Sequence, residues 1–174
     1  MSFLGSPIKI GCLDVANRLV MPPMATEKAQ GDGEVTEALC DYYAEKSAGG
    51  YIGLIILEHS YICPEGKASK GQLSIAKDSD IVGLKKLVKT IHQHRSKVFA
   101  QINHAGARSK KEIIGDLPKS ASSVDHPKFA KNKALPIEMT AADIQKVIAD
   151  FAAAALRAKK AGFDGVEIHA AHAY

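Results

Sequence analysis

Short apolar runs alternate along this chain with stretches in which apolar residues recur every three or four positions, predicting strands and helices in turn. Residues 18–21 (RLVM) predict a strand that Pro22 and Pro23 end, because proline has no N–H to give to a ladder. Thr36 is placed to cap a helix over 37–48, with Gly49-Gly50 as its stop signal. Residues 52–57 (IGLIIL) are rich in β-branched side chains and too short for a stable helix. A continuous apolar run of this kind suits a parallel strand buried on both faces. A second helix is predicted over 80–94, capped by Asp80, with Ile81, Leu84, Val88 and Ile91 on one stripe. Residues 98–102 (VFAQI) predict a third strand. The segment 106–139 is rich in Pro, Ser and Lys and has little periodicity, the character of a lid or binding loop. Thr140 to Asp143 (TAAD) reads as a capping signature, opening a helix to about residue 161 that turns Phe151, Ala154, Ala155 and Ala158 toward the core. Residues 165–168 predict the last strand.

The order β-α-β-α-β-α-β calls for a parallel α/β sheet of about four strands with three crossover helices. No internal repeat or Gly/Ser linker divides the chain, so residues 1–174 are expected to form one domain. Hydrophobic residues at 46% and charged residues at 24% exclude a disordered chain. No apolar run approaches the roughly 20 residues that span a bilayer, and the N-terminus lacks a signal-peptide core, so a cytoplasmic protein without a membrane partner is expected. The net charge is +4, and the basic pairs Lys85-Lys86 and Lys110-Lys111 are short and free of interleaved aromatics. They read as solvated faces rather than nucleic-acid contacts. Cys12, Cys40 and Cys63 are odd in number, widely spaced and without a CxxC pair, which argues against a disulfide framework or a zinc cluster.

In a parallel sheet the four strand ends point to one side, where barrels and open α/β sheets alike place their ligands. Pro22, Pro23, Met24 and Ala25 follow the first strand, and Glu58 and His59 the second. The third ends at Gln101, Asn103 and His104, and the fourth at His169, His172 and Tyr174. There is no GxGxxG, Walker loop, GxSxG or HExxH; AGGYIG around Gly49 precedes a strand rather than following one, so it is no phosphate cradle. Glu167 lies two residues before His169 and shares its face. A metal-dependent barrel enzyme using Glu167, His169 and His172 therefore stands as an alternative.

RLVMPPMAT, YYAEKSAGGYIGLIILE, FAQINHAGAR and FDGVEIHAAHAY, in this order, resemble the Old Yellow Enzyme family, FMN-dependent ene-reductases on an eight-stranded α/β barrel. The resemblance covers nearly the whole chain and corresponds to the N-terminal half of a TIM (β/α)8 barrel, ending after the fourth strand. It implies FMN as cofactor, NAD(P)H as reductant and a small enone-like substrate. By the same resemblance Pro22, Pro23, Met24 and Ala25 form the turn that lies against the flavin, with His59 beside it. Gln101 binds the pyrimidine edge of the ring. His169 and His172 hold the oxygen of an α,β-unsaturated carbonyl, Tyr174 donates the proton, and Glu27 stands where the family often contacts substrate.

Four positions depart from the family pattern. Ala25 stands where many relatives have Cys or Thr, and His59 replaces a smaller residue and is expected to crowd the ring. Ala107 is inserted between Gly106 and Arg108. Ala173 replaces a Gly, so a positive φ there would strain the turn before Tyr174. A half-barrel leaves its first and fourth strands as open edges. A chain of this extent is accordingly expected to bind FMN weakly, to turn over little substrate, and to self-associate or pair with a complementary C-terminal half-barrel. A non-catalytic half-barrel that serves as a scaffold is the remaining alternative.

Overall fold

The computed structural model describes residues 3–124 and 135–174. The chain opens with an antiparallel hairpin, β1 (Ile8–Ile10) and β2 (Leu13–Val15), which pairs Ile8 with Val15. There follow β3 (Val20–Met21), α1 (Glu37–Ser47), β4 (Leu54–Ile56), β5 (Ser60–Tyr61), α2 (Asp80–His92) and β6 (Lys97–Asn103). Next come a single-turn helix α3 (Lys111–Ile114) and two short strands, β7 (Lys119–Ser120) and β8 (Ile137–Glu138). The long helix α4 (Ala141–Ala161) and β9 (Gly165–Ile168) complete the series.

β3, β4, β6 and β9 lie side by side and parallel, with Val20 paired to Leu54, Ile55 to Val98 and Gln101 to Glu167. β5 prolongs the line of β4: Ile102 pairs with Ser60 on one side and with Ile168 on the other. The expected four-strand parallel sheet with crossover helices α1, α2 and α4 is thus present. β4 and β5 together form its second strand.

The helices gather on one face. Val98, Ala100 and Ile102 of β6 pack in one core with Leu84, Leu87, Val88 and Ile91 of α2 and with Ala154 and Ala158 of α4, all essentially sealed from solvent. Sealing one such aliphatic side chain contributes roughly 1.5–3 kcal/mol. On α4 the alanines leave room for the helix to lie close to the strands. Helix ends follow the sequence signals in two cases. Thr36 Oγ1 accepts from Leu39 N at 3.1 Å, and Thr140 and Asp143 form a reciprocal capping box. α1 runs out at Gly49 and Gly50, whose φ values of 80° and 67° suit glycine. Asp80 differs from expectation. It sits inside the first turn of α2, and its carboxylate accepts from Ser74 Oγ at 2.7 Å and Lys77 N at 3.1 Å. It therefore anchors the preceding loop rather than capping the helix.

Within 106–139, α3, β7 and β8 supply local order that the weak periodicity did not foretell. Residues 125–134 of that expected lid lie outside the described residues. At the edges of the sheet the packing stops. By register Val166 and Ile168 occupy the same face as Ala100 and Ile102, yet they are 39% and 63% exposed, and Leu19 and Val20 at the opposite edge are 41% and 48% exposed. Ile144, Ile148 and Leu156 form an exposed stripe along α4. Among the described residues no helix is long and apolar enough to cross a membrane.

Candidate active site

The site is assembled at the C-terminal ends of the strands. β6 alternates, so that Phe99, Gln101 and Asn103 turn away from the helices. Gly165 and Glu167, paired to Phe99 and Gln101, share that inner face, and His169 continues it. Gly165 has a packing reason: a Cβ there would lie 2.6 Å from the Phe99 ring, so the ring claims the space.

Beyond β9 the chain folds back in a tight turn. His172 and Ala173 both take left-handed conformations, with φ of 58° and 61°, and Tyr174 N donates to Ala171 O at 3.1 Å. This brings the rings together. The His169 centroid lies 5.4 Å from that of His172 and 4.8 Å from that of Tyr174. The positive φ anticipated at Ala173 is therefore present, at a residue whose Cβ makes it costly by roughly 1–2 kcal/mol.

His59 enters the same cluster from the end of the second strand. Its centroid is 6.0 Å from His169 and 5.7 Å from Tyr174, and its Nε2 is 3.5 Å from Tyr174 Oη. Burial is the main cause that lowers the His59 pKa to about 4, helped by the neighbouring His169, so the ring is neutral at pH 7. His169 is lowered in the same direction, first by burial and then by His172. The Tyr174 phenol is raised by burial, against a smaller opposing pull from the Arg108 charge.

The turn after β3 is tied down from below. The Glu58 carboxylate, itself buried, accepts from Thr26 Oγ1 at 2.5 Å and from Thr26 N at 3.2 Å. Tyr43 Oη in turn accepts from Glu58 N at 2.9 Å. Burial raises the Glu58 pKa, with the Thr26 bonds partly offsetting it. Pro22, Pro23, Met24 and Ala25 are thereby held as an open turn, with Met24 54% exposed. Glu27 follows with φ of 53° and is exposed to solvent. Its charge is felt at both His59 and Glu58. Strand ends and family resemblance point to these residues; the Thr26–Glu58–Tyr43 tie that fixes them spans distant segments and leaves no local signal.

Gln101 is buried on the inner face beside Glu167, one of whose oxygens, Oε2, is buried without a donor among the described residues. Asn103 is also sealed: its Oδ1 accepts from Gln72 Nε2 at 2.7 Å, while its Nδ2 has no acceptor among the described residues. His104 Nδ1 accepts from Gly106 N at 3.1 Å, which turns that histidine to a local structural task. Among the described residues no three His, Cys, Asp or Glu side chains converge so as to hold an ion. The alternative built on Glu167, His169 and His172 as ligands has no geometric support.

The fit to a flavin rests on three features: a pinned, open backbone turn, a buried amide at Gln101, and a buried carboxylate oxygen of Glu167 left without a donor among the described residues. A flat heterocycle with donors and acceptors along one edge matches such a surface.

Residues 4–174 match the model of the NADH:flavin oxidoreductase / NADH oxidase family. The chain is 41% identical over 167 residues to the NADH oxidase of Thermoanaerobacter brockii, covering 95% of this chain and 25% of that protein. It is 38% identical over 175 residues to an NADPH dehydrogenase of Listeria monocytogenes, covering all of this chain and 50% of the relative. The structure of the old yellow enzyme homologue from Zymomonas mobilis superposes with a TM-score of 0.90 at 30% identity, over 99% of this chain and 50% of that one. The chain thus spans half or less of the length of these relatives, and its fold is half of their α/β barrel. It belongs to the NADH:flavin oxidoreductase / NADH oxidase family, the Old Yellow Enzyme group of flavin-dependent oxidoreductases.

Proposed function

We propose that this chain supplies the flavin-facing turn and the substrate-polarising groups of an FMN-dependent, NAD(P)H-driven reductase of activated C=C bonds such as those of α,β-unsaturated carbonyl compounds. The observation that carries the reading is the convergence of the His169, His172 and Tyr174 rings at the end of β9, on the face that also holds Gln101. Pro22, Pro23, Met24 and Ala25 would hold FMN through their backbone, Gln101 through its amide and His59 from the side, while Glu27 borders the substrate. FMN, reduced by NAD(P)H, would supply the hydride.

The chain's own residues do the rest. As hydride adds to the β-carbon, the π pair moves toward the carbonyl oxygen, where N–H groups of His169 and His172 stabilise the growing charge. Burial keeps His169 neutral at pH 7, so it donates a hydrogen bond without giving up a proton to the oxygen. Tyr174 Oη–H, protonated at neutral pH because burial raises its pKa, forms the new C–H bond at the α-carbon. The phenolate left behind regains its proton from water.

The exposed Leu19 and Val20 at one edge and Val166 and Ile168 at the other favour a companion set of strands that completes the barrel. The chain by itself should hold FMN weakly and turn over little substrate. The test mixes purified chain with FMN, alone and with a separately expressed C-terminal half of a relative. NADPH is then added without oxygen, followed by 2-cyclohexenone. The expected result is flavin bleaching by NADPH and recovery by the enone in the paired sample. Flavin retained in neither sample would leave a scaffold role as the better description.

A further inference from the structure

His59 meets the rings of His169 and Tyr174 from the second strand, in the break between β4 and β5. The backbone that carries it is fixed on both sides. Glu58 N donates to Tyr43 Oη at 2.9 Å, and His59 O accepts from Gln72 Nε2 at 3.3 Å. Glu58 and Ser60, its neighbours in the chain, are buried. The imidazole is thereby held with Nε2 3.5 Å from Tyr174 Oη, across 115 positions of sequence. The two ring planes are inclined by 44°, so the contact is nitrogen to oxygen rather than face to face.

Resting on the reading of Tyr174 as proton donor, we infer that His59 is a further catalytic residue: its Nε2–H donates to Tyr174 Oη and stabilises the phenolate as the proton leaves for the α-carbon. A phenol carries one hydrogen. Given to His59, that hydrogen would point away from the substrate; a bond accepted from His59 lets it reach the α-carbon instead. The proton-donor role thus fixes the His59 tautomer with its hydrogen on Nε2. In the transfer the Tyr174 O–H bond breaks, its electron pair stays on oxygen, and the new C–H bond forms; His59 neither gains nor loses a proton. Burial keeps the imidazole neutral at pH 7, so it supports the oxygen without competing to protonate the substrate. The charges felt at the pair are those of Glu27, His169 and His172 at His59, and of Arg108 at Tyr174. Arg108 and the imidazole N–H favour the same ionised form of the phenol. The 3.5 Å approach is one that tightens as charge builds on the oxygen.

The first measurement needs neither flavin nor substrate. Ultraviolet titration of tyrosinate in the chain, less the same titration of Y174F, isolates the ionisation of Tyr174. H59L removes the ring nitrogens at similar volume and should raise the Tyr174 midpoint by about one pH unit, while H59Q, which keeps an N–H, should restore part of the difference. A midpoint that falls in H59L would mean that His59 accepts the phenol's hydrogen, and an unchanged one that the two rings do not bond. Either result overturns the inference. The second measurement follows the paired, flavin-loaded protein by stopped flow. H59L should slow recovery of the flavin by 2-cyclohexenone about tenfold more than it slows reduction by NADPH, and that excess should vanish in the Y174F background. Equal slowing of both steps, as crowding of the flavin alone would give, or an excess that persists in Y174F, overturns the inference and leaves Tyr174 as donor. An enone step indifferent to Y174F itself would instead remove the donor on which the inference rests.

Discussion

On its helix-facing side the sheet presents Val98, Ala100 and Ile102 to α2 and α4, and all of these side chains are closed off from water. On its other side and at its tips stand Gln101, Glu167, His169 and Tyr174, where rings crowd together, a carboxylate oxygen lacks a donor among the described residues, and two successive residues take left-handed backbone. Around β6 the first side is closed by what the described residues supply, and it opens at the β9 edge, where Val166 and Ile168 stay exposed. The second keeps polar groups in readiness for something that arrives, and it accepts strain to do so. Stability and chemistry are thus drawn from opposite faces of the same strands, and substitutions on the two faces should be separable.

The largest separation is expected from Tyr174→Phe. In the paired, flavin-loaded protein it should slow recovery of the flavin by an enone by about 10²–10⁴-fold, while reduction by NADPH changes little. Stopped-flow absorbance reads both halves of the cycle. An unchanged enone step would remove Tyr174 as proton donor. The helix side should answer in the opposite way: Leu87→Ala, at a fully buried position, should cost about 2–5 kcal/mol in urea denaturation. A loss under 1 kcal/mol would show that this side is less tightly closed than its burial implies.

Asp164 comes next. Its carboxylate, just before β9, accepts from Val98 N at 2.9 Å, His92 Nε2 at 2.8 Å and Lys97 Nζ at 3.1 Å. Burial alone would raise its pKa, yet these partners together hold it below the ordinary carboxylate value. The folded state therefore favours the deprotonated form. The stability it contributes is fully present above the unfolded value of about 4 and is lost as pH falls through the lower folded value. Asp164→Asn should lower stability at pH 7 by about 1.5–3 kcal/mol and flatten this acid-side dependence. Denaturation series at pH 7 and pH 3 check both. The smallest effect belongs to Ala173→Gly, which should relieve about 1 kcal/mol of backbone strain. A fall in stability there would mean that the left-handed turn is not the strained element.

The helix side was also the more legible in sequence. Thr36, Thr140 and Asp143 announce their helices because a cap is a local event, bonding within three residues. The run IGLIIL and the stripe Leu84, Val88, Ile91 declare burial by composition and period. Asp80 misled because its carboxylate serves Ser74 and Lys77 behind it rather than the helix ahead. β1, β2, β5, β7 and β8 are two or three residues long, too short for any period to show. Of the site, the ring-bearing residues could be named from the strand ends and from resemblance. The tie from Tyr43 through Glu58 to Thr26 could not, since its members come from three separate segments. Nor could the place of Arg108, which looks like an ordinary surface charge until the fold brings it near enough to Tyr174 for its charge to reach the phenol.

The Asp164 junction also settles a question of phase. Side chains along a strand alternate, so moving β9 by one residue against β6 would carry Glu167 and His169 out among the helices and bring Val166 and Ile168 in. By gripping the main chain at Val98 and the side chains of His92 and Lys97 just ahead of Gly165, this one carboxylate decides which way the histidine looks.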